Sequence, residues 1–229
     1  MKIICIIPAR GGSKGIPKKN IIDVRGKPLI AYSIEPAIEA MELGLIDKVI
    51  VSTDSIEIAD ISKNYGAEIP FLRPDDISGD KAKSIEFIEH ALSFYKNLGI
   101  NYDAVLLLQP TSPLRTLEDL ISALKLFIES NNDSLISAYE EEYINDLVIY
   151  KLSEDGKTSI PVNQLHNKGV RRQEHGSLYV RNGCIYISST ELISKGYVIG
   201  AAPLMYTMDK NKSVNVDTLE DLELLRKLL

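Results

Sequence analysis

The sequence predicts an α/β fold, a mostly parallel β-sheet with helices on both faces. Two observations carry this. The runs Lys2–Pro8, Lys48–Ser52 and Asp103–Gln109 are apolar at consecutive rather than alternate positions, the pattern of strands buried on both sides. Between them lie segments with apolar residues at helical spacing, and strands alternating with helices give a parallel sheet covered on both faces. The chain has 229 residues, 45% of them hydrophobic and 25% charged. That is enough for one large domain with a full core, so residues 1–229 are read as a single domain.

The elements follow in order. Pro28 is expected to open a helix with Leu29, Ile30, Ile34, Ala37, Ile38 and Met41 on one face. After the second strand comes a helix through Ile58, Ala59 and Ile61, then a short strand at Ile69–Leu72. A helix over Ser84–Lys96 presents Ile85, Ile88, Ala91 and Leu92 to the core. Thr116 caps a helix that turns Leu117, Leu120, Ile121, Leu124, Phe127 and Ile128 inward. Beyond Ser134 the pattern changes. Leu135–Tyr139, Leu147–Leu152 and Cys184–Ile187 are strand-like, separated by polar connections. Residues 135–181 are therefore read as a β-rich insertion. The α/β pattern returns in Tyr197–Thr207 and ends in a helix from Asp217, with Asp217 and Glu220 as a capping box and Leu219, Leu222, Leu225 and Leu229 as its apolar stripe.

Composition narrows the function. A net charge of −6 argues against a nucleic-acid partner, which calls for a basic protein. No apolar run reaches the roughly 20 residues of a membrane span, and the N terminus lacks a secretory pattern, so no membrane partner and a cytoplasmic location are expected. Cys5 and Cys184 sit in apolar runs as core thiols. His90, His166 and His175 are scattered, as surface or hydrogen-bonded residues rather than metal ligands. Against this acidic background, residues 10–27 carry Arg10, Lys14, Lys18, Lys19, Arg25 and Lys27 with Asp23 the single acid. A cationic island in an acidic protein suits one small anionic ligand.

That island is a glycine-rich loop following the first strand, Arg10-Gly11-Gly12-Ser13-Lys14-Gly15-Ile16-Pro17-Lys18-Lys19-Asn20. In a parallel sheet, ligands bind beyond the carboxyl ends of strands. Glycines there let backbone N–H groups approach an oxyanion, while Arg10, Lys14 and Lys19 can neutralise phosphates. A solvated basic loop that uses glycine for turns is the competing reading. The loop is neither of two common phosphate motifs: its lysine precedes the glycine, unlike a P-loop, and Ser13 stands where a dinucleotide fingerprint needs glycine.

The loop resembles the signature of the cytidylyltransferases that activate sialic acids as CMP-sugars. Val51-Ser52-Thr53-Asp54, Leu72-Arg73-Pro74, Leu107–Arg115 and Asn182–Ile187 match in the same order. The resemblance implies a Rossmann-like nucleotidyltransferase fold, similar to the GT-A architecture, and the reaction of CTP with a nine-carbon sugar acid to give a CMP-sugar and diphosphate. It implies that Arg10, Gly12, Ser13, Lys14 and Lys19 face the triphosphate, with Lys19 stabilising the departing diphosphate. Asn20, Arg73, Ala82 and Ser84 would hold the cytosine and ribose. Gln109, Arg172, Gln173, Tyr179 and Asn182 would meet the acceptor, with Arg172 on its carboxylate. Mg²⁺, or Mn²⁺ in its place, would be bound by Asp217 with Asn215, which stands where the family has a first acid; Arg10, Lys19 and Asp217 form the implied catalytic set. The insertion would serve as the arm of a homodimer. Arg181 stands where a proline is common, and Ile199-Gly200 where sialic acid members often have an aromatic pair. A CMP-Kdo or CMP-legionaminate synthetase, and a non-catalytic CTP-binding regulator, are the alternatives.

Overall fold

A computed structural model describes residues 1–13, 15–142, 144, 146–168 and 176–229. Its centre is a six-stranded sheet ordered β10-β6-β9-β5-β1-β4, made by β1 (Ile3–Pro8), β4 (Lys48–Ser52), β5 (Ala104–Leu107), β6 (Ser134–Glu141), β9 (Leu178–Ser189) and β10 (Leu204–Thr207). The pairs β1–β4, β1–β5 and β6–β10 are parallel. Strand β9 runs antiparallel to both its neighbours.

Consecutive apolar residues in β1 serve two separate cores. Ile3, Cys5 and Ile7 pack with Ile34 and Ala37 of α1 (Ala31–Glu42) and with Leu120 and Phe127 of α4 (Leu117–Ile128). Ile4 and Ile6 face Phe87, Ile88 and Ala91 of α3 (Ser84–Asn97) and Ile193 of α5 (Thr190–Ser194). Helix α2 (Ile56–Asn64) adds Ile58 to the first core, and α6 (Leu219–Leu228) forms a third with Ile16, Val24 and Leu29. Both cysteines are buried and unpaired, so they are core thiols. No helix among the described residues is long and apolar enough to cross a membrane.

Several expectations need correction. Pro28 does not open a helix; it pairs with Asp23 in the small β2–β3 ribbon (Asp23–Val24, Lys27–Pro28), and α1 begins at Ala31. Ile69–Leu72 forms no strand, only an isolated bridge from Glu68 to Ile50. Asp217 is not the cap of α6. Thr218 has the extended cap conformation, its hydroxyl accepts from the Asp221 N–H, and the Asp221 carboxylate accepts from the backbones of Thr218 and Asp217. Thr-x-x-Asp thus wins over Asp-x-x-Glu one residue earlier, leaving the Asp217 side chain available for another role. By contrast, Thr116 caps α4 as expected, in a box with Asp119. His166 bonds Tyr150, whereas His90 packs edge-on to Phe71 and its buried Nδ1 has no partner among the described residues; His175 lies outside the described residues.

The segment 135–181 starts as a full member of the central sheet, because β6 lies between β9 and β10. Its projecting part comprises the β7–β8 hairpin (Tyr150–Leu152 with Ser159–Pro161) and the outer ends of β6 and β9, where Glu140 pairs with Tyr179 and Glu141 with Leu178.

Candidate active site

The carboxyl ends of β1 and β5 meet at a cleft of about 400 Å³, the place where a parallel sheet leaves backbone and side chains pointing at a ligand. Strand β1 delivers Pro8 and then Arg10, Ser13 and Gly15 from the loop; Lys19 and Asn20 follow in a 3-10 turn. Ala82 and Ser84 come from the N terminus of α3, and Arg73 from the connection between α2 and α3. Gln109, Pro110 and Thr111 arrive from the turn after β5, and Asp217 from the segment before α6. Gly12 is exposed and does not line the cleft. Lys14, Arg172 and Gln173 lie outside the described residues.

Hydrogen bonds fix the loop. The Gly11 N–H donates to Asp54 Oδ1 at 2.7 Å, and Asn20 Nδ2 donates to the Arg10 carbonyl at 3.0 Å. Gly15 is required by sterics: a Cβ there would lie 2.6 Å from the Asp217 carbonyl oxygen. The loop therefore seats directly on the segment carrying Asp217. That segment is tied in turn to the β5 turn through Val216 N to Thr111 O at 2.7 Å.

Cations in the cleft rest on carboxylates. Arg10 Nη1 is 2.6 Å from Asp80, and Lys19 Nζ is 2.8 Å from Asp217 Oδ1. Asn215 donates its amide to the other Asp217 oxygen. Arg73 is buried: its Nε donates to Ser52 Oγ at 3.0 Å, another nitrogen donates to the Ser52 carbonyl, and its guanidinium lies 4.7 Å from the centre of the Phe87 ring. Burial pushes its pKa down to about 10, opposed by the Asp54 charge and reinforced by Arg10, so it stays cationic at neutral pH.

Behind the cleft, Arg115 is fully buried and donates to the carbonyls of Cys184 (2.9 Å) and Gln109 and to Ser33 Oγ (2.7 Å). One guanidinium thereby ties the middle of β9, the turn after β5 and the start of α1 together, and burial lowers its pKa. Sequence reasoning placed Asp54, Thr111 and Arg115 in matching segments without a role, and did not single out Asp80 or Phe87. Asp54 had a readable signal, an acid at the carboxyl end of a buried strand. Asp80 and Phe87 had none.

A second cleft of about 570 Å³ shares Gln109, Thr111 and Asp217 with the first. It is also lined by Tyr139, Arg181, Asn182, Tyr186, Ser213 and Asn215. Asn182 borders it with its amide engaged inside the fold: Oδ1 accepts from Ser137 Oγ (2.6 Å) and Cys184 N (3.1 Å), and Nδ2 donates to Ser213 Oγ (2.9 Å). Tyr179 is exposed on β9 and lines neither cleft.

Asp217 and Asn215 supply one carboxylate and one amide at the junction of the two clefts. Among the described residues no cluster of three or more His, Cys, Asp or Glu is placed to hold a metal by itself. This donor set fits Mg²⁺ taken up together with phosphate oxygens and waters, the usual way that ion is held.

Similarity to known proteins agrees with this geometry. The chain is 35% identical over 224 residues to the pseudaminic acid cytidylyltransferase of Campylobacter jejuni subsp. jejuni serotype O:2, covering 97% of this chain and 94% of that one. It is 37% identical to the N-acylneuraminate cytidylyltransferase of Escherichia coli O18:K1:H7, covering 97% of this chain and 51% of that longer protein. In three dimensions it matches a CMP:2-keto-3-deoxy-manno-octonic acid synthetase complexed with CTP at a TM-score of 0.71 and 16% identity, covering 100% of this chain and 98% of the other. This shows the nucleotidyltransferase fold. Residues 4–229 match the family model described as cytidylyltransferase, and the chain belongs to that family.

Proposed function

We propose that this cytidylyltransferase activates a nonulosonic acid of the sialic type: CTP and N-acylneuraminate give CMP-N-acylneuraminate and diphosphate. The observation that carries this reading is the pair of clefts meeting at Gln109, Thr111 and Asp217. A cation-lined cleft suits CTP, the adjoining one suits the sugar acid, and the acid's anomeric hydroxyl is the nucleophile that attacks the α-phosphorus at their junction. The new O–P bond forms as the bond to the diphosphate breaks. Catalysis is then positioning and charge neutralisation.

In this reading Arg10, Ser13, Lys14 and Lys19 hold the triphosphate, and Lys19 neutralises the diphosphate as it departs. Asn20, Arg73, Ala82 and Ser84 frame the nucleoside. Gln109 holds sugar hydroxyls, Asn182 shapes the acceptor wall, and Arg172 and Gln173 belong to the acceptor side; Tyr179, exposed outside both clefts, is given no contact there. Asp217 with Asn215 would hold Mg²⁺, or Mn²⁺, which would supply charge stabilisation to the triphosphate. Exposed Ile149, Leu152, Ile160, Val162 and Val180 on the projecting arm support its burial in a homodimer; sedimentation of a monomer would refute that part.

The test is diphosphate release from CTP with N-acetylneuraminic, legionaminic, pseudaminic and Kdo acids in turn. Turnover of N-acetylneuraminic acid supports the reading. Turnover of Kdo alone reassigns the acceptor, and CTP binding with no diphosphate release makes the chain a regulator.

A further inference from the structure

The ladder between β6 and β9 breaks beside the second cleft. Ile136 pairs with Tyr186, but Ala138 pairs with Arg181, so β6 moves two residues along while β9 moves five. The extra residues form a bulge around Asn182 and Gly183, and Gly183 has φ 77°, in the left-handed region. Internal hydrogen bonds of Asn182 to Ser137, Cys184 and Ser213 brace it. Bulges re-aim side chains next to active sites, and the side chain re-aimed here is Arg181.

Arg181 lines the second cleft, its guanidinium carbon 5.8 Å from the centre of the Tyr186 ring. It is the one cationic side chain lining that cleft among the described residues. Lys210, over the nearby Tyr139 ring, is paired with Glu141 at 2.9 Å. The cleft's carboxylate, Asp217, is held by Lys19 and Asn215. A carboxylate entering this space therefore meets an exposed guanidinium, over the Tyr186 ring, with no carboxylate on it among the described residues. Forked donation to a carboxylate is what arginine does best.

We propose that Arg181 binds the carboxylate of the acceptor sugar acid and is a specificity-determining residue of the reaction. This rests on the assignment of the second cleft to the acceptor. The contact selects 2-keto acids over neutral sugars and orients the anomeric carbon, which bears the carboxylate, at the junction near Asp217.

The experiment measures steady-state kinetics of wild type, R181A, R181Q and R172A with the turned-over acid and with its C1 amide. CTP affinity is measured in parallel. The expected result is a rise in KM for the acid of about 10- to 100-fold in R181A and R181Q, the scale of a charge-assisted contact, with CTP affinity within about twofold. Wild type loses a similar factor on passing to the amide, and R181A loses nothing further. The proposal is overturned if R181A keeps the wild-type KM, if its loss is as large for the amide as for the acid, or if only R172A shows the carboxylate-specific loss. A wild-type protein that turns over no acid overturns the acceptor assignment and this proposal together, whereas an active wild type with a normal R181A overturns this proposal alone.

Discussion

Lys19→Ala isolates the contribution of one charge. The Lys19 side chain is only 15% exposed, and its Nζ reaches Asp217 Oδ1 at 2.8 Å, while Asp217 itself is 60% exposed. An ion pair with so exposed a partner adds about 0–1 kcal/mol to stability, so the variant should melt within a few degrees of wild type. Its effect on turnover is larger, because charge builds on the departing diphosphate only in the transition state. Removing one preorganised donor to developing charge lowers kcat by about 10²–10³. The assay is steady-state diphosphate release at saturating CTP and acid, with circular dichroism to confirm the fold. A kcat within threefold of wild type would refute the role of Lys19. A loss of thermal stability matching the loss of activity would show a structural residue instead.

The other predictions follow from particular contacts. Gly15→Ala should weaken CTP binding at least 10-fold, since its Cβ would fall 2.6 Å from the Asp217 carbonyl oxygen and push that segment away; unchanged affinity in isothermal titration would contradict the close packing. Asp217→Asn should raise the Mg²⁺ concentration for half-maximal rate by about tenfold, as the site's carboxylate charge is lost; an unchanged metal titration would remove it as a ligand. Asp119 is buried, which raises its pKa, but hydrogen bonds from Thr116 and Lys212 outweigh this and leave it lowered. A depressed carboxylate stabilises the fold above its unfolded pKa of about 4, and that stability is lost as pH falls through the lower folded value. Asp119→Asn should therefore flatten acid unfolding below pH of about 4, and a denaturation profile parallel to wild type would refute this.

The layered core was legible because β1, β5 and the middle of β4 are apolar at consecutive positions, and burial on both faces explains that. Element ends were less legible. Asp217 and Thr218 are both good caps three residues before an acid, and the choice between them depends on where Gly15 and Thr111 hold the preceding chain. Likewise, Ile69–Leu72 has strand composition but only Glu68 bridges to β4. At the site, Arg10 and Gln109 were readable as residues following strands, whereas the strand expected before Arg73 does not form. Asp80 pairs with Arg10 across 70 positions of sequence, and no local pattern announces such a partner. The bulge that turns Arg181 toward the cleft depends on register between β6 and β9, which pattern alone does not set.

One measurement bears most directly on the account, in which two clefts meet so that the sugar acid's hydroxyl displaces diphosphate in a single step. The acid is labelled with ¹⁸O at its anomeric hydroxyl, incubated with CTP and Mg²⁺, and the products are read by mass spectrometry and ³¹P NMR. The account predicts CMP-sugar and diphosphate in equal amounts, with the label retained in the oxygen bridging sugar and phosphorus. CTP hydrolysed to CMP without sugar transfer, or a CMP-sugar that has lost the label, would contradict it.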